Sequence, residues 1–408
     1  MRKLVAALAV LAIAFLVAQP ALADSPPLEA ASSDASITTQ ATKWRTISTP
    51  EQLRHLTLKS EGFGPGYYRI ANDFTLGDKN NTDDDVATCA LLSGKFVIDF
   101  NGHTVQSACE NLATFTVQGA NVTFLDSKAT SNKVSVNGLG AGCIELRKGS
   151  VAILNGNYAC KKFSGAGGSA VHVGGGTCTI GGGAFSGTYC ALYNAGGKLT
   201  VNGGKFYGGY PHALLVGGGT TKLAGGVFTG ANNGYGHAFA IGALTLGKTF
   251  NANGLLAKGA SWSQTPSVVY HSNTADWSYY PTYAVSYMTM PYPFGSIAQQ
   301  SISVKGKVGA KKSAAVIAPS LKSIETGKRK ATVTWEKISG ATKYQVRYST
   351  AKSMKGAKTA NVAKSKTSCV LKKLASKKRC YAQVRAFRSI GGHSYYSTWS
   401  AKKSAVVK

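Results

Sequence analysis

The chain has 408 residues, among them 46 Lys and Arg against 17 Asp and Glu, 48 Gly and 8 Cys. A hydrophobic content of 44% with 10% aromatics excludes a chain disordered throughout, the length leaves room for two or three domains, and glycines without a G-x-y period exclude collagen. A formal charge of +29 excludes an ordinary acidic cytoplasmic enzyme and calls for a polyanionic partner, which could be nucleic acid, membrane or another polymer.

Arg2 and Lys3 precede the apolar run Leu4 to Ala18, and Ala21-Leu22-Ala23 supplies small residues where a signal peptidase reads. Residues 1–23 are therefore expected to be a secretory signal peptide, since the run falls short of the roughly 20 residues that span a bilayer. No later stretch reads as transmembrane, and export removes nucleic acid from the list of partners. Residues 24–43, with Pro26, Pro27 and many small polar residues, read as a flexible leader. The run EQLRHLTLKS at 51–60 predicts a short helix capping whatever follows.

From about 90 to 245 the sequence repeats every 21 to 27 residues, which predicts a solenoid within residues 44–300. Aligned copies give columns. Ile144, Val171, Leu192, Leu214 and Phe239 form the first, and Leu146, Val173, Asn194, Val216 and Ile241 the second. Ile153, Ile180, Val201 and Leu223 form a third, and Tyr158, Phe185, Phe206 and Phe228 a fourth. The first two lie two positions apart, the period of a strand, so both point inward and the column Glu145, His172, Tyr193, Leu215 and Ala240 points out. Frequent Gly-Gly pairs and the lack of a 3.6-residue stripe disfavour helical coils. The segments IDFNGHTV, LNGNY and VNGGKFYGG resemble the secreted right-handed parallel β-helix proteins of the pectate-lyase-like superfamily.

That resemblance implies a search for carboxylates, often assisted by calcium or a basic residue, on the outer surface of the coils. Glu145, His172 and Arg147 are the candidates for proton transfer and charge stabilisation, with Asp99, Asp126 and Glu110 as further acids. Asp83, Asp84 and Asp85 read as a solvated loop, and His212 and His237 as turn packing. No cofactor or metal is expected. The aromatic-rich stretch 260–300 reads as a second cap; Trp262, Trp277 and Tyr280, with Tyr193, are the candidates for a sugar-binding platform.

Residues 301–319 read as a basic linker ending at Pro319, and 320–408 as a small β-sandwich of short strands between Gly-, Ser- and Lys-rich turns. From 301 to 408 there are 26 Lys and Arg against only Glu325 and Glu336, a net +24 with histidines neutral. The segments VTWEKISGATKYQVRYSTAKSM, LKKL, YAQVRAF and YYSTWS resemble fibronectin type III domains of secreted Gram-positive proteins. In that family a core tyrosine usually follows the leucine equivalent to Leu374 by six residues; here Cys380 stands there, and Cys369 shares the inward face of Leu371. The departure implies a Cys369–Cys380 disulfide in place of the tyrosine's tie. Cys89 with Cys109 and Cys160 with Cys190, separated by about one coil, are further expected pairs.

The fold expected is thus all-β, a right-handed parallel β-helix followed by a fibronectin type III-like sandwich. The leading functional expectation is a noncatalytic protein, secreted and associated with the wall of a Gram-positive bacterium. Its β-helix would display a face to a glycan or host macromolecule, and its basic module would hold it on an anionic wall polymer or acidic glycan. The alternatives are a polysaccharide lyase or glycoside hydrolase, and a structural envelope protein.

Overall fold

Alternating inward residues and glycine turns build two long parallel sheets. In the first, strands Arg45–Ile47, Gly66–Ile70, Lys95–Asp99, Phe115–Leu125, Gly142–Ile153, Ser169–Val173, Leu192–Asn194, Leu214–Val216 and Phe239–Ile241 follow one another in parallel. In the second, Phe74–Leu76, Val105–Ser107, Val136–Gly138, Asn157–Cys160, Ala184–Gly187, Lys205–Gly208 and Gly226–Thr229 do the same. This computed structural model describes residues 44–58, 63–77, 88–110, 112–161, 168–209, 212–231, 238–241, 252–271 and 294–408. The result is a parallel β-solenoid.

The repeat columns are the register of these sheets. Ile144, Val171, Leu192, Leu214 and Phe239 are successive ladder partners, as are Ile153, Ile180, Val201 and Leu223. The fourth column stacks ring on ring: Tyr158 on Phe185 at 5.0 Å and 5°, Phe185 on Phe206 at 5.0 Å and 14°, Phe206 on Phe228 at 4.7 Å and 14°. Near-parallel rings one strand spacing apart are what an in-register parallel ladder imposes on identical side chains.

Corners carry a polar column of their own. Asn101 and Gly102 turn with φ of 52° and 81°, the left-handed region that an Asn-Gly pair tolerates. Asp99 Oδ1 accepts from the backbone N–H of Asn101 and Ser127, Asp126 Oδ1 from Gly102 and Lys128, and Asn155 Oδ1 from Asp126. Buried carboxylates thus replace the strand bonds that the chain gives up when it bends.

Both ends of the solenoid are covered. Helix Pro50–Leu58 is capped by Thr49, whose Oγ1 accepts from Gln52 N, and it lays Leu53 and Leu56 on the core. At the other end Phe294–Ile297 pairs antiparallel with Phe239–Ile241, and Ser301–Lys305 with Gly226–Thr229, setting Ile302 opposite Phe228. The first part of the run read as a linker is therefore a solenoid strand, because Ile302 and Val304 alternate inward.

The C-terminal module is a two-sheet sandwich. Leu321–Gly327, Lys330–Trp335 and Ser368–Lys372 form the smaller sheet. The larger contains Lys358–Ala363, Lys343–Ser349, Arg379–Ile390 and His393–Tyr396, with Lys403–Val406 on Arg379–Ile390 and Lys311–Lys312 on His393–Tyr396. This arrangement of three strands against six, with sequential strands crossing between sheets, is fibronectin type III-like. Trp335, Tyr344, Val346, Ala382 and Val384 fill its core, and the Tyr344 hydroxyl accepts from Ile338 N at 2.8 Å.

Gln40–Lys408 is one compact unit, and the module packs on the solenoid's flank. Val97, Leu125 and Leu154 each follow an inward residue, so they face out, and they cluster with Ala315, Val316 and Tyr395. Tyr67 donates its hydroxyl hydrogen to Ala314 O at 2.9 Å, and Lys311 Nζ reaches Asn202 Oδ1 at 3.4 Å. Two glycines permit the approach: a Cβ at Gly181 would strike the Tyr395 hydroxyl, and one at Gly203 would lie 2.6 Å from His393 Nε2.

Candidate functional site

The outward column forms a row across five adjacent strands. Thr116, Glu145, His172, Tyr193 and Leu215 are consecutive ladder partners. Glu145 Oε2 pairs with Arg147 Nη2 at 3.0 Å, while Glu145 Oε1 lies 3.9 Å from His172 Nδ1, too far for a hydrogen bond. The His172 ring stacks on Tyr193 with centroids 4.9 Å apart and planes at 10°. Burial pulls the His172 pKa below its ordinary value; Glu145 opposes this and Arg147 adds to it. Burial thus favours the neutral imidazole, whose Nε2 is buried without a hydrogen-bond partner. Burial also raises the Tyr193 phenol, which is 7% exposed.

The structure thus brings Glu145, Arg147, His172 and Tyr193 together. Two of the other candidate acids are occupied elsewhere: Asp99 pairs with Arg69 at 3.1 Å besides capping its turn, and Asp126 Oδ2 accepts from Ser135 Oγ. Among the described residues no group of three or more His, Cys, Asp and Glu is arranged to hold a metal ion. Trp262 lies apart, on strand Ser261–Trp262 at the C-terminal end, where its Nε1 donates to Asn253 Oδ1 at 3.1 Å. Trp277, Tyr280, His237 and Asp83 to Asp85 fall outside the described residues.

The expected cysteine pairings are corrected by the structure, in which all eight are free thiols. Local partners explain where the sulfurs point. Cys89 Sγ donates to Leu53 O on the capping helix, Cys160 Sγ lies near Leu139 O and Gly140 O, and Cys190 Sγ is 3.1 Å from Ser169 Oγ. Cys109 is buried and takes a backbone bond from its N–H to Ser107 Oγ. Cys369 and Cys380 line one core from opposite sheets, as read, but without a bond; there they act as apolar filling. Burial drives the Cys89, Cys160 and Cys190 thiols up to about 12.

A second cluster, on the outer face of the module's larger sheet, escaped the sequence reading. Cross-strand register sets Arg347 opposite Gln383, Gln345 opposite Arg385, and Lys343 opposite Phe387. Arg347 Nε and Nη2 both donate to Gln383 Oε1 at 3.0 and 2.7 Å, and Arg385 repeats the fork on Gln345 Oε1 at the same distances. Trp399 joins them because Ser397 and Ser400 fasten the following segment: their hydroxyls accept from Ala386 N and Val384 N. Arg347 then lies 4.4 Å and Arg385 4.5 Å from the Trp399 ring centroid, Arg385 4.1 Å from Tyr396, and Lys343 4.5 Å from Phe387. Each such cation–aromatic contact is worth roughly 0.5–2 kcal/mol. The usable signal was the outward alternation Lys-x-Gln-x-Arg beside Gln-x-Arg-x-Phe.

No family model matches the chain, and no curated protein does. Among solved structures it is similar to the fn3 domain of human contactin 1, at 20% identity and a TM-score of 0.22, over 25% of this chain and 87% of that one. It is similar to the chicken CNTN1 FN1-FN3 domains at 18% identity and 0.20, over 28% of this chain and 38% of that one. A third likeness is to the beta-1,2-glucanase from Parabacteroides distasonis, at 15% identity and 0.20, over 28% of this chain and 17% of that one.

Proposed function

We propose that the protein is an exported, noncatalytic binding protein of the cell surface. Its basic module holds it on an anionic envelope polymer, and its solenoid presents a rigid outer face to a glycan or host macromolecule. The observation that carries this reading is the charge of residues 301–408, 26 cations against two acids, with all their lysines exposed. Exposed cations without acidic neighbours attract a polyanion over about a Debye length, roughly 10 Å at 0.1 M salt, and salt weakens that attraction. The signal peptide expected at 1–23 supports export, and a Gram-positive wall supplies such polymers.

The second reading is a polysaccharide lyase or hydrolase, favoured by the proximity of Glu145, Arg147 and His172. It is the weaker one. The carboxylate is engaged by Arg147, and the free imidazole nitrogen is buried. The third reading, a structural envelope protein, makes the module a spacer.

The test is sedimentation of the full chain from residue 24 with purified Gram-positive walls at low and high salt, with product release from acidic glycans assayed in parallel. Binding that salt reverses, without turnover, is the expected result. Salt-independent or absent binding overturns the retention role, and turnover abolished by Glu145→Gln would promote the enzyme.

A further inference from the structure

We propose that the row Arg347, Trp399, Arg385, Tyr396, Phe387 and Lys343 is a docking surface for a linear acidic polysaccharide, its uronate carboxylates received by the guanidinium groups. The inference builds on the reading that the basic module binds an anionic polymer, and it says where and of which class.

Three observations carry it. First, both guanidinium groups are held by amides. A glutamine oxygen orients a guanidinium through Nε and Nη2 without cancelling its charge, as a carboxylate would. Among the described residues neither arginine has an acidic partner or a protein acceptor at Nη1. The module's two acids, Glu325 and Glu336, lie in or just after strands of the smaller sheet.

Second, two cations sit over one indole, each within 4.5 Å of its centroid. Their mutual repulsion is felt at Arg347, whose pKa burial lowers first and Arg385 lowers further. An anion bridging the two relieves that repulsion, so the unliganded arrangement is primed for one.

Third, aromatic rings lie between the cations, Trp399 between Arg347 and Arg385, and Tyr396 with Phe387 between Arg385 and Lys343. A uronate chain carries one carboxylate on each pyranose and weakly polar C–H surface between them, which matches cations separated by rings. A polyol-phosphate chain offers the charges but no ring surface, leaving the half-buried Trp399 and Tyr396 against water.

The experiment measures binding of the full chain from residue 24 to polygalacturonate, with a glycerol-phosphate polymer and neutral dextran as comparison probes. The double variant Arg347→Gln/Arg385→Gln is set against Lys364→Gln/Lys366→Gln, which removes the same charge from an exposed turn on another part of the module. Arg347→Lys/Arg385→Lys keeps the charge while removing the planar fork, and it serves if the glutamine variant fails to show a wild-type unfolding midpoint.

The expected result is at least about a tenfold rise in Kd for polygalacturonate in either arginine variant, and a smaller rise in the lysine control. Equal losses in the arginine-to-glutamine and control variants, or wild-type affinity in the arginine-to-lysine variant, would overturn the docking surface. They would leave diffuse retention by charge standing. Preference for the phosphate polymer would overturn the occupant, and failure to bind any anionic probe would overturn the proposed function as well.

Discussion

Leu192 is 1% exposed, in ladder register between Val171 and Leu214. Aspartate there would bury an unpaired charge among aliphatic neighbours, and we expect Leu192→Asp to cost about 4 kcal/mol or more, read as loss of the cooperative unfolding transition. His172 supplies a residue-scale pH effect. Burial holds its folded pKa below the ordinary 6.5, so the unfolded chain takes up the proton first. The stability it contributes is complete above pH 6.5 and is lost as pH falls through the depressed value. His393, lowered by burial and by Lys311, acts in the same direction. The unfolding midpoint should fall between pH 7 and 5, and His172→Gln and His393→Gln should each shrink that fall; an unchanged slope in both would contradict the assignment.

Among elements, the ring stack Tyr158, Phe185, Phe206 and Phe228 has the most to lose from one deletion. Phe206 has a ring on each side, and Phe206→Ala should cost about 3–5 kcal/mol, read by equilibrium denaturation. This stack was readable in the sequence, because a parallel coil repeats its residues at a fixed spacing and the period alone states which side chain lies over which. The outward row Glu145, His172 and Tyr193 was readable for the same reason. The arginine–tryptophan row was not. Its members come from strands that pair antiparallel across long intervals, and Trp399 reaches them only through the bonds of Ser397 and Ser400, which no periodicity announces. The cysteines failed for a related reason: spacing near one coil brings two residues to adjacent coils but does not aim their sulfurs at each other.

The whole molecule differs from a solenoid with a tethered appendage. Val97, Leu125 and Leu154 form an apolar outer strip that the module covers, so cutting the chain near residue 300 would expose it. A 24–300 fragment is expected to aggregate or bind a hydrophobic dye where the full chain does not. Leu125→Lys in the full chain should lower the midpoint of unfolding while leaving the module's core intact.

The flank docking also limits how this protein can change its length over evolutionary time. Solenoids grow by duplicating coils, and an added coil displaces everything beyond it by one strand spacing, about 4.8 Å. The module touches Tyr67, Leu154, Gly181, Asn202 and Gly203, points spread over several consecutive coils, and Lys311 begins its docking only six residues after the cap strand ends at Lys305. A duplication between residues 67 and 203 would pull these contacts out of step with a module whose own dimensions are fixed. A duplication beyond Gly203 would spare them, provided the segment from Gly306 to Ala310 lengthened to match. Repeat number is therefore free to drift at one end of the solenoid and pinned along the rest by the module beside it.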